Sequence, residues 1–150
     1  MFGRAAAARG QCAVNFWRPQ EREQDLHEAC AEYLWRVVLP PAKWTCIALG
    51  AVQLSGPQRA KLTRMGVQAS WPDFIVVHNG IYGLELKRPG GRLSVNRLYR
   101  TRRGTLRERI GQETMFEQLQ AAGMAVRVCM SLDDVKGALH AWGVPARRST

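Results

Sequence analysis

The sequence predicts an α/β protein with a mixed central sheet flanked by helices. Apolar residues recur at helical spacing near the start of the chain, and a hairpin signal, Asn79-Gly80, separates two strand-like segments further on. Helix-like and strand-like segments then alternate to the end. With 150 residues, of which 46% are hydrophobic and 23% charged, the chain is long enough for one domain with a single core.

The first half of the chain predicts two helices and two strands. The first helix starts near Gln20 and stops at Pro40-Pro41, because proline cannot continue a helix. Its apolar stripe consists of Leu26, Cys30, Tyr33, Leu34 and Val37. The segments that follow are a strand over Trp44–Leu49, a basic helix over Pro57–Met65 ended by Gly66, and a buried strand over Asp73–His78.

The second half predicts two strands and two helices. They are a strand over Ile81–Lys87, a helix over Gln112–Ala122 that stops at Gly123, a strand over Met124–Met130, and a last helix opened by Ser131. Asp134 lies three residues after Ser131, which is a capping-box pattern. The resulting order is helix, strand, helix, strand, strand, helix, strand, helix.

Positive charge is concentrated in one part of the chain. The net charge is +10, and the stretch from Lys87 to Arg109 holds nine basic residues and one acid. We divide the chain into a flexible basic arm (1–19), one domain (20–145) with a basic insertion at about 95–110, and a tail (146–150). The insertion is interpreted as a mobile loop that orders on nucleic acid, because guanidinium groups suit phosphate oxygens. A merely solubilising arginine face is the alternative. The arginines expected to bind nucleic acid are Arg88, Arg92, Arg97, Arg100, Arg102, Arg103 and Arg107.

Several classes of protein do not fit the composition. No apolar run approaches the ~20 residues that span a bilayer, and the opening residues lack a signal-peptide core, so we expect a cytoplasmic protein without a membrane partner. The four cysteines are widely separated, with no paired spacing, which favours reduced thiols over a zinc or dithiol site.

Two acids and a lysine lie on the strands of the predicted hairpin. Asp73 follows Pro72, and Glu85 and Lys87 share one face of the next strand. A two-residue loop would leave Asp73 on the wrong face, whereas a three-residue loop, 78–80, sets it opposite Glu85. We predict the three-residue loop, with Gly80 in the left-handed conformation as a G1 bulge. The competing interpretation is a structural turn at Asp73 and an edge ion pair between Glu85 and Lys87.

Opposed carboxylates suit a hard divalent cation. Oxygen ligands favour Mg²⁺ or Mn²⁺ over zinc, and such an ion beside a lysine suits phosphodiester hydrolysis. On a helical wheel Glu23 falls within the sector bounded by Leu26 and Leu34, so its carboxylate is expected on the core side. Stabilisation of the helix N-terminus is its alternative role.

An ordered set of motifs from about Glu23 to Pro145 resembles the VRR-NUC branch of the PD-(D/E)xK nuclease superfamily, in its small stand-alone phage and bacterial form. The matching pieces are Glu23, Leu26-His27, Tyr33-Leu34, Arg59-Ala60-Lys61, Met65-Gly66-Val67, Trp71-Pro72-Asp73, Gly83-Leu84-Glu85-Leu86-Lys87, Gly91-Arg92-Leu93-Ser94, Ala121-Ala122-Gly123 and Ala141-Trp142-Gly143-Val144-Pro145.

The resemblance implies a restriction-endonuclease-like core and metal-dependent DNA cleavage. Asp73, Glu85 and the Leu86 backbone carbonyl would bind the metal, with Glu23 completing the site and Lys87 orienting or activating water. The family also places a glutamine on the helix after this strand. Its best match is Gln112, as though about fifteen residues from Val95 to Ile110 were inserted; an ordinary exposed glutamine is the alternative.

The leading functional hypothesis is a structure-selective DNA endonuclease that uses Mg²⁺ or Mn²⁺. Relatives of this form are similar in being homodimers that cut branched DNA such as four-way junctions, so a homodimer and a branched substrate are expected here. The alternative is a catalytically inactive basic DNA-binding module with a nuclease-like fold, whose acids lie too far apart to share an ion.

Overall fold

A computed structural model describes residues 19–47 and 53–147 of the chain. Most of the predicted arm and tail lie outside these ranges, as does the end of the strand predicted to reach Leu49. The first helix, α1, spans Pro19–Val37, which agrees with a domain that starts near Gln20. Cys30, Leu34 and Val37 on this helix are buried, as their spacing predicts.

The central sheet is mixed and has four strands. They are β1 (Lys43–Cys46), β2 (Phe74–Val77), β3 (Ile81–Leu86) and β6 (Met124–Cys129), arranged in the order β1-β2-β3-β6. The first three strands pair antiparallel, and β3 pairs with β6 in parallel. The parallel pair requires a crossover, which carries the chain across one face of the sheet.

Helices cover both faces of this sheet. On one face, α1 and α4 (Leu132–Ala141) pack over a cluster that includes Phe74, Leu84 and Leu86. On the other face, α3 (Gln112–Ala121) packs over a smaller cluster. Because side chains alternate along a strand, Glu85, which lies between two core leucines, belongs to the α3 face. The Glu85 side chain therefore points toward the start of α3.

The peripheral helix α2 (Gly56–Arg64) depends on its caps rather than on the core. None of its residues is buried. The Ser55 hydroxyl accepts from the Gln58 amide and the Gln58 side chain accepts from the Ser55 amide, a capping box that satisfies two otherwise orphaned donors. Gly66, at φ +92°, ends the turn as the sequence predicts.

The segment 95–110 is not the loop that the sequence predicts. The segment forms an antiparallel hairpin of β4 (Arg97–Arg100) and β5 (Leu106–Arg109), separate from the main sheet, and both strands are exposed throughout. Thr101 and Thr105 close its turn, in which Gly104 adopts φ +78°. The backbone ladder and this turn therefore order the segment without any buried side chain.

The predicted bounds of α2, β2, β3, α3 and β6 coincide with the observed ones or differ from them by one residue. Ser131 caps α4 as predicted, since its hydroxyl accepts from the Asp134 amide. The Asp134 carboxylate accepts from the Met130 amide at 2.8 Å, one residue before the cap. Among the described residues, no helix combines the length and apolar character needed to cross a membrane.

Candidate active site

The β2–β3 hairpin brings Asp73 beside the strand that carries Glu85. Val77 pairs with Ile81 and Phe74 with Leu84, which confirms the three-residue loop. Asp73 precedes β2, and its Oδ2 accepts a hydrogen bond from the Leu86 amide at 2.8 Å. The predicted register is therefore present, and Asp73 is tied to the backbone next to Glu85.

The loop reaches this register by a different conformation from the one expected. Asn79, at φ +50°, is the left-handed residue, and Gly80 is not left-handed. Asparagine tolerates this region better than most residues that have a Cβ, so it can take the position assigned to glycine. The prediction of a G1 bulge at Gly80 is thus wrong, although the loop length is right.

Close packing at Gly83 holds the Asp73 segment against β3. Pro72 is fully buried, and a Cβ added to Gly83 would lie 2.7 Å from Pro72 Cγ. Only glycine leaves room for this proline. The close contact between Pro72 and Gly83 therefore fixes the position of Asp73, which directly follows the proline.

Glu85 lies at the centre of the site with an uncompensated oxygen. Its side chain is 1% exposed. Oε1 accepts from Lys87 Nζ at 2.6 Å and from the Gln112 side-chain amide. Oε2 is buried and has no hydrogen-bond partner within the described part of the chain. A buried carboxylate oxygen without a donor is costly unless a cation or a proton reaches it.

The pKa of each of the two acids, Glu85 and Asp73, is raised. Burial, reinforced by the negative charge of Asp73, raises the pKa of Glu85 from 4.5 to about 7, although Lys87 and Gln112 act in the opposite sense. Burial also raises the pKa of Asp73, against the Leu86 amide and the charges of His27 and Lys87. The positive charge near the two acids, mainly that of Lys87, therefore does not offset the effect of their burial.

Lys87 links the strand to the first helix. Its Nζ lies 2.6 Å from Glu85 Oε1 and 3.8 Å from Glu23 Oε1. Burial disfavours its charge, but the hydrogen bond and charge of Glu85 outweigh burial, so the pKa of Lys87 is raised. Lys87 is therefore an ammonium ion at neutral pH. Glu23 faces the site, as the wheel predicts, and its side chain is 42% exposed.

Gln112 reaches the site although the β4–β5 hairpin separates it from β3 in the chain. It is the first residue of α3, and its side chain donates to Glu85 Oε1 and accepts from the Ser94 amide at 3.2 Å. The Gln112 amide in turn donates to Ser94 Oγ at 3.0 Å. The β4–β5 hairpin leaves and returns at this point, so Gln112 is adjacent to Ser94 although eighteen positions separate them.

Three polar ties fasten the base of the hairpin beside the site. Besides the Ser94–Gln112 pair, Asn96 Oδ1 accepts from the Gly111 amide at 2.9 Å and Ser70 Oγ donates to the Ile110 carbonyl at 2.9 Å. Sequence reasoning assigned no role to Ser70, Ser94 or Asn96. Serine before a helix is a capping signal, but nothing in the sequence specifies which helix start Ser94 serves.

The acids of the site suit a divalent cation bound through few protein ligands. Within residues 19–47 and 53–147, no three His, Cys, Asp or Glu side chains are grouped closely enough to hold a metal ion. Mg²⁺ usually takes one or two carboxylates and completes its shell with water and substrate phosphate. Asp73 and the partnerless Oε2 of Glu85 fit that need, whereas Glu23 contacts Lys87. The role expected of the Leu86 carbonyl stays a prediction.

The arginines predicted to contact nucleic acid are all exposed. Arg88 and Arg92 follow β3, and the others lie on the β4–β5 hairpin or its turn.

His27 packs against the core. Its ring centroid lies 4.5 Å from that of Phe74, and its Nε2 lies 3.5 Å from Cys46 Sγ.

Comparisons of the chain with protein-family models, with curated proteins and with solved structures found no match.

Proposed function

We propose that this chain is a divalent-metal-dependent DNA endonuclease with a restriction-endonuclease-like core, similar to the VRR-NUC family, and that it acts as a homodimer on branched DNA. One observation carries the proposal. A buried glutamate, with one oxygen lacking any donor, shares its site with a second raised-pKa acid and a charged lysine. Burying such a group is costly, and groups of this kind with perturbed pKa values cluster at sites of binding or catalysis.

Each residue of the site has a distinct task in this proposal. Asp73 and Glu85 would hold Mg²⁺ or Mn²⁺, which when bound supplies Lewis acidity to a phosphoryl group. The Lys87 ammonium holds the attacking water and stabilises negative charge as it develops on the phosphate. Gln112 fixes the orientation of Glu85, and Glu23 limits the movement of Lys87 by its charge.

The exposed arginines supply the affinity for the substrate. Contacts to phosphate release counterions, so binding should weaken steeply with salt. Charge alone does not select DNA shape, and a preference for branched DNA therefore requires its own measurement.

Cleavage of a panel of labelled four-way junction, flap, nicked and linear DNA tests the proposal. We expect cutting with Mg²⁺ or Mn²⁺ and none in EDTA. Asp73→Asn and Glu85→Gln should each lower the rate at least about 1,000-fold, because both remove charge from the reacting centre. Asp133→Asn, an exposed acid on α4, serves as the control. Uncut DNA under all conditions, combined with metal-independent binding, would instead support the inactive DNA-binding module.

A further inference from the structure

The two faces of the β4–β5 hairpin differ in charge. Residues directly opposite in an antiparallel pair share a face, and Arg97 pairs with Arg109 while Tyr99 pairs with Arg107. One face therefore carries three guanidinium groups around one aromatic ring. We call the four residues Arg97, Tyr99, Arg107 and Arg109 the cationic face.

The opposite face is nearly neutral. It pairs Leu98 with Glu108 and Arg100 with Leu106. The Glu108 carboxylate is held by the Asn96 side-chain amide at 3.0 Å, and Arg100 donates to the Gly104 carbonyl at 3.0 Å. Three of the four arginines on the two strands thus lie on one side of the hairpin rather than being spread over both.

The cationic face carries a cost that a polyanion would remove. Like charges directly opposite each other destabilise a strand pair, and Arg97 faces Arg109 across the ladder. Phosphate oxygens between the two guanidinium groups would convert this repulsion into attraction.

The position of Tyr99 favours one kind of nucleic acid. Tyr99 is 48% exposed and lies on the same face as Arg97 and opposite Arg107. In a duplex the faces of the bases are covered by their neighbours, whereas an unpaired strand offers them for stacking on an aromatic ring. A ring among phosphate-binding cations is therefore the arrangement that suits a single strand.

From these contacts we infer that the cationic face of the hairpin binds an unpaired DNA strand, with the arginines on phosphates and Tyr99 stacked on a base. The inference rests on the proposed function in taking DNA as the polyanion. It adds the part of a branched substrate that this surface engages. The ties from Ser94, Asn96 and Ser70 would hold that strand at a fixed place relative to Glu85.

Fluorescence anisotropy in EDTA tests the inference without any cleavage. The probes are one labelled oligonucleotide of mixed sequence and the same oligonucleotide annealed to its complement. Tyr99→Ala should weaken single-strand binding about 5- to 100-fold and duplex binding less than about 2-fold, because only the unpaired strand loses a stacking contact. Tyr99→Phe should keep single-strand binding, and Leu98→Ala, on the opposite face, should change neither.

A matched pair of arginine variants tests the contact of the cationic face with phosphate. Arg107→Gln should reduce the slope of log Kd against log salt for the single strand by about 0.7, the value for one phosphate contact, while Arg64→Gln, at an exposed arginine on α2, leaves it unchanged. Equal losses on single strand and duplex for Tyr99→Ala would overturn the inference, as would equal slopes for the two arginine variants. Because no metal is present, this outcome is independent of whether the chain cuts DNA.

Discussion

The carboxylate site and the β4–β5 hairpin place their charges in opposite environments. At the site, Glu85 is 1% exposed and is surrounded by packed strands and α3. On the hairpin, all eight strand residues are exposed and no core forms. A charge in the first region interacts strongly because little water screens it, but its burial is costly. A charge on the hairpin costs little, because it stays hydrated, and solvent and salt weaken its interactions.

This difference suggests a division of work between the two regions. Buried groups with perturbed pKa values can hold a cation and act on a bond, because they are fixed and poorly solvated. Exposed arginines attract and position a polyanion without altering its chemistry. We therefore expect substitutions at the site to change turnover and substitutions on the hairpin to change affinity.

The largest effect that separates the two regions is expected from Lys87→Met. Loss of the ammonium group should lower the cleavage rate at saturating DNA about 100- to 1,000-fold, because one preorganised charge at the reacting centre is removed. The Kd for DNA should stay within about 2-fold, since the phosphate contacts that determine affinity lie elsewhere. Single-turnover cleavage and anisotropy measure the two quantities. Lys136→Met, an exposed lysine on α4, is the matched control, and a large loss of affinity in Lys87→Met would contradict the division.

The same contrast explains what the sequence could and could not predict. The register of the β2–β3 hairpin follows from strand alternation and loop length, and this register places Asp73 beside the strand that carries Glu85. Glu23 followed from the helical wheel. Each of these residues lies in or next to an element with a buried face, and burial imposes a period on the sequence of that element.

The β4–β5 hairpin has no such period, because neither of its faces is buried. Neither strand alternates apolar and charged residues, and the charged composition predicts a mobile loop. The signal that was missed is local: Thr101 and Thr105 bracket a turn in which Gly104 is left-handed. The contact of Gln112 with Glu85 was uncertain for the same reason, since it depends on the hairpin bringing α3 back to Ser94.

A smaller effect is expected from pH on the metal-free protein. The pKa of Glu85 is about 7 in the folded state and 4.5 ordinarily, so its protonated form favours folding. This contribution is complete below pH 4.5 and is lost as the pH rises through 7, by about 3 kcal/mol in the free energy of unfolding. Asp73 acts in the same direction, and the raised pKa of Lys87 has its effect only in alkaline solution.

Urea unfolding in EDTA at several pH values, for the wild-type chain and Glu85→Gln, measures this contribution. Glutamine cannot ionise, so the difference between the two proteins should grow in favour of the variant as the pH rises from 4.5 to 8. Mn²⁺ should restore wild-type stability at the upper end, because it takes the place of the proton. A difference that does not change with pH would show that Glu85 is not desolvated in solution.

The smallest of the three effects concerns the one residue that joins the two regions. Gln112→Ala removes the donor to Glu85 and the acceptor for the Ser94 amide, and we expect cleavage to slow about 10-fold, the equivalent of about one hydrogen bond to a charged group. Because this donor lowers the pKa of Glu85, the pH midpoint for the loss of Glu85-linked stability should move upward, which a purely structural role would not produce.

Ser94→Ala keeps the bond to Glu85 and should slow cleavage less, while Gln120→Ala, exposed on the same helix, should have no effect. If Gln112→Ala instead weakened single-strand binding and left the pH midpoint in place, the glutamine would belong to the hairpin rather than to the site.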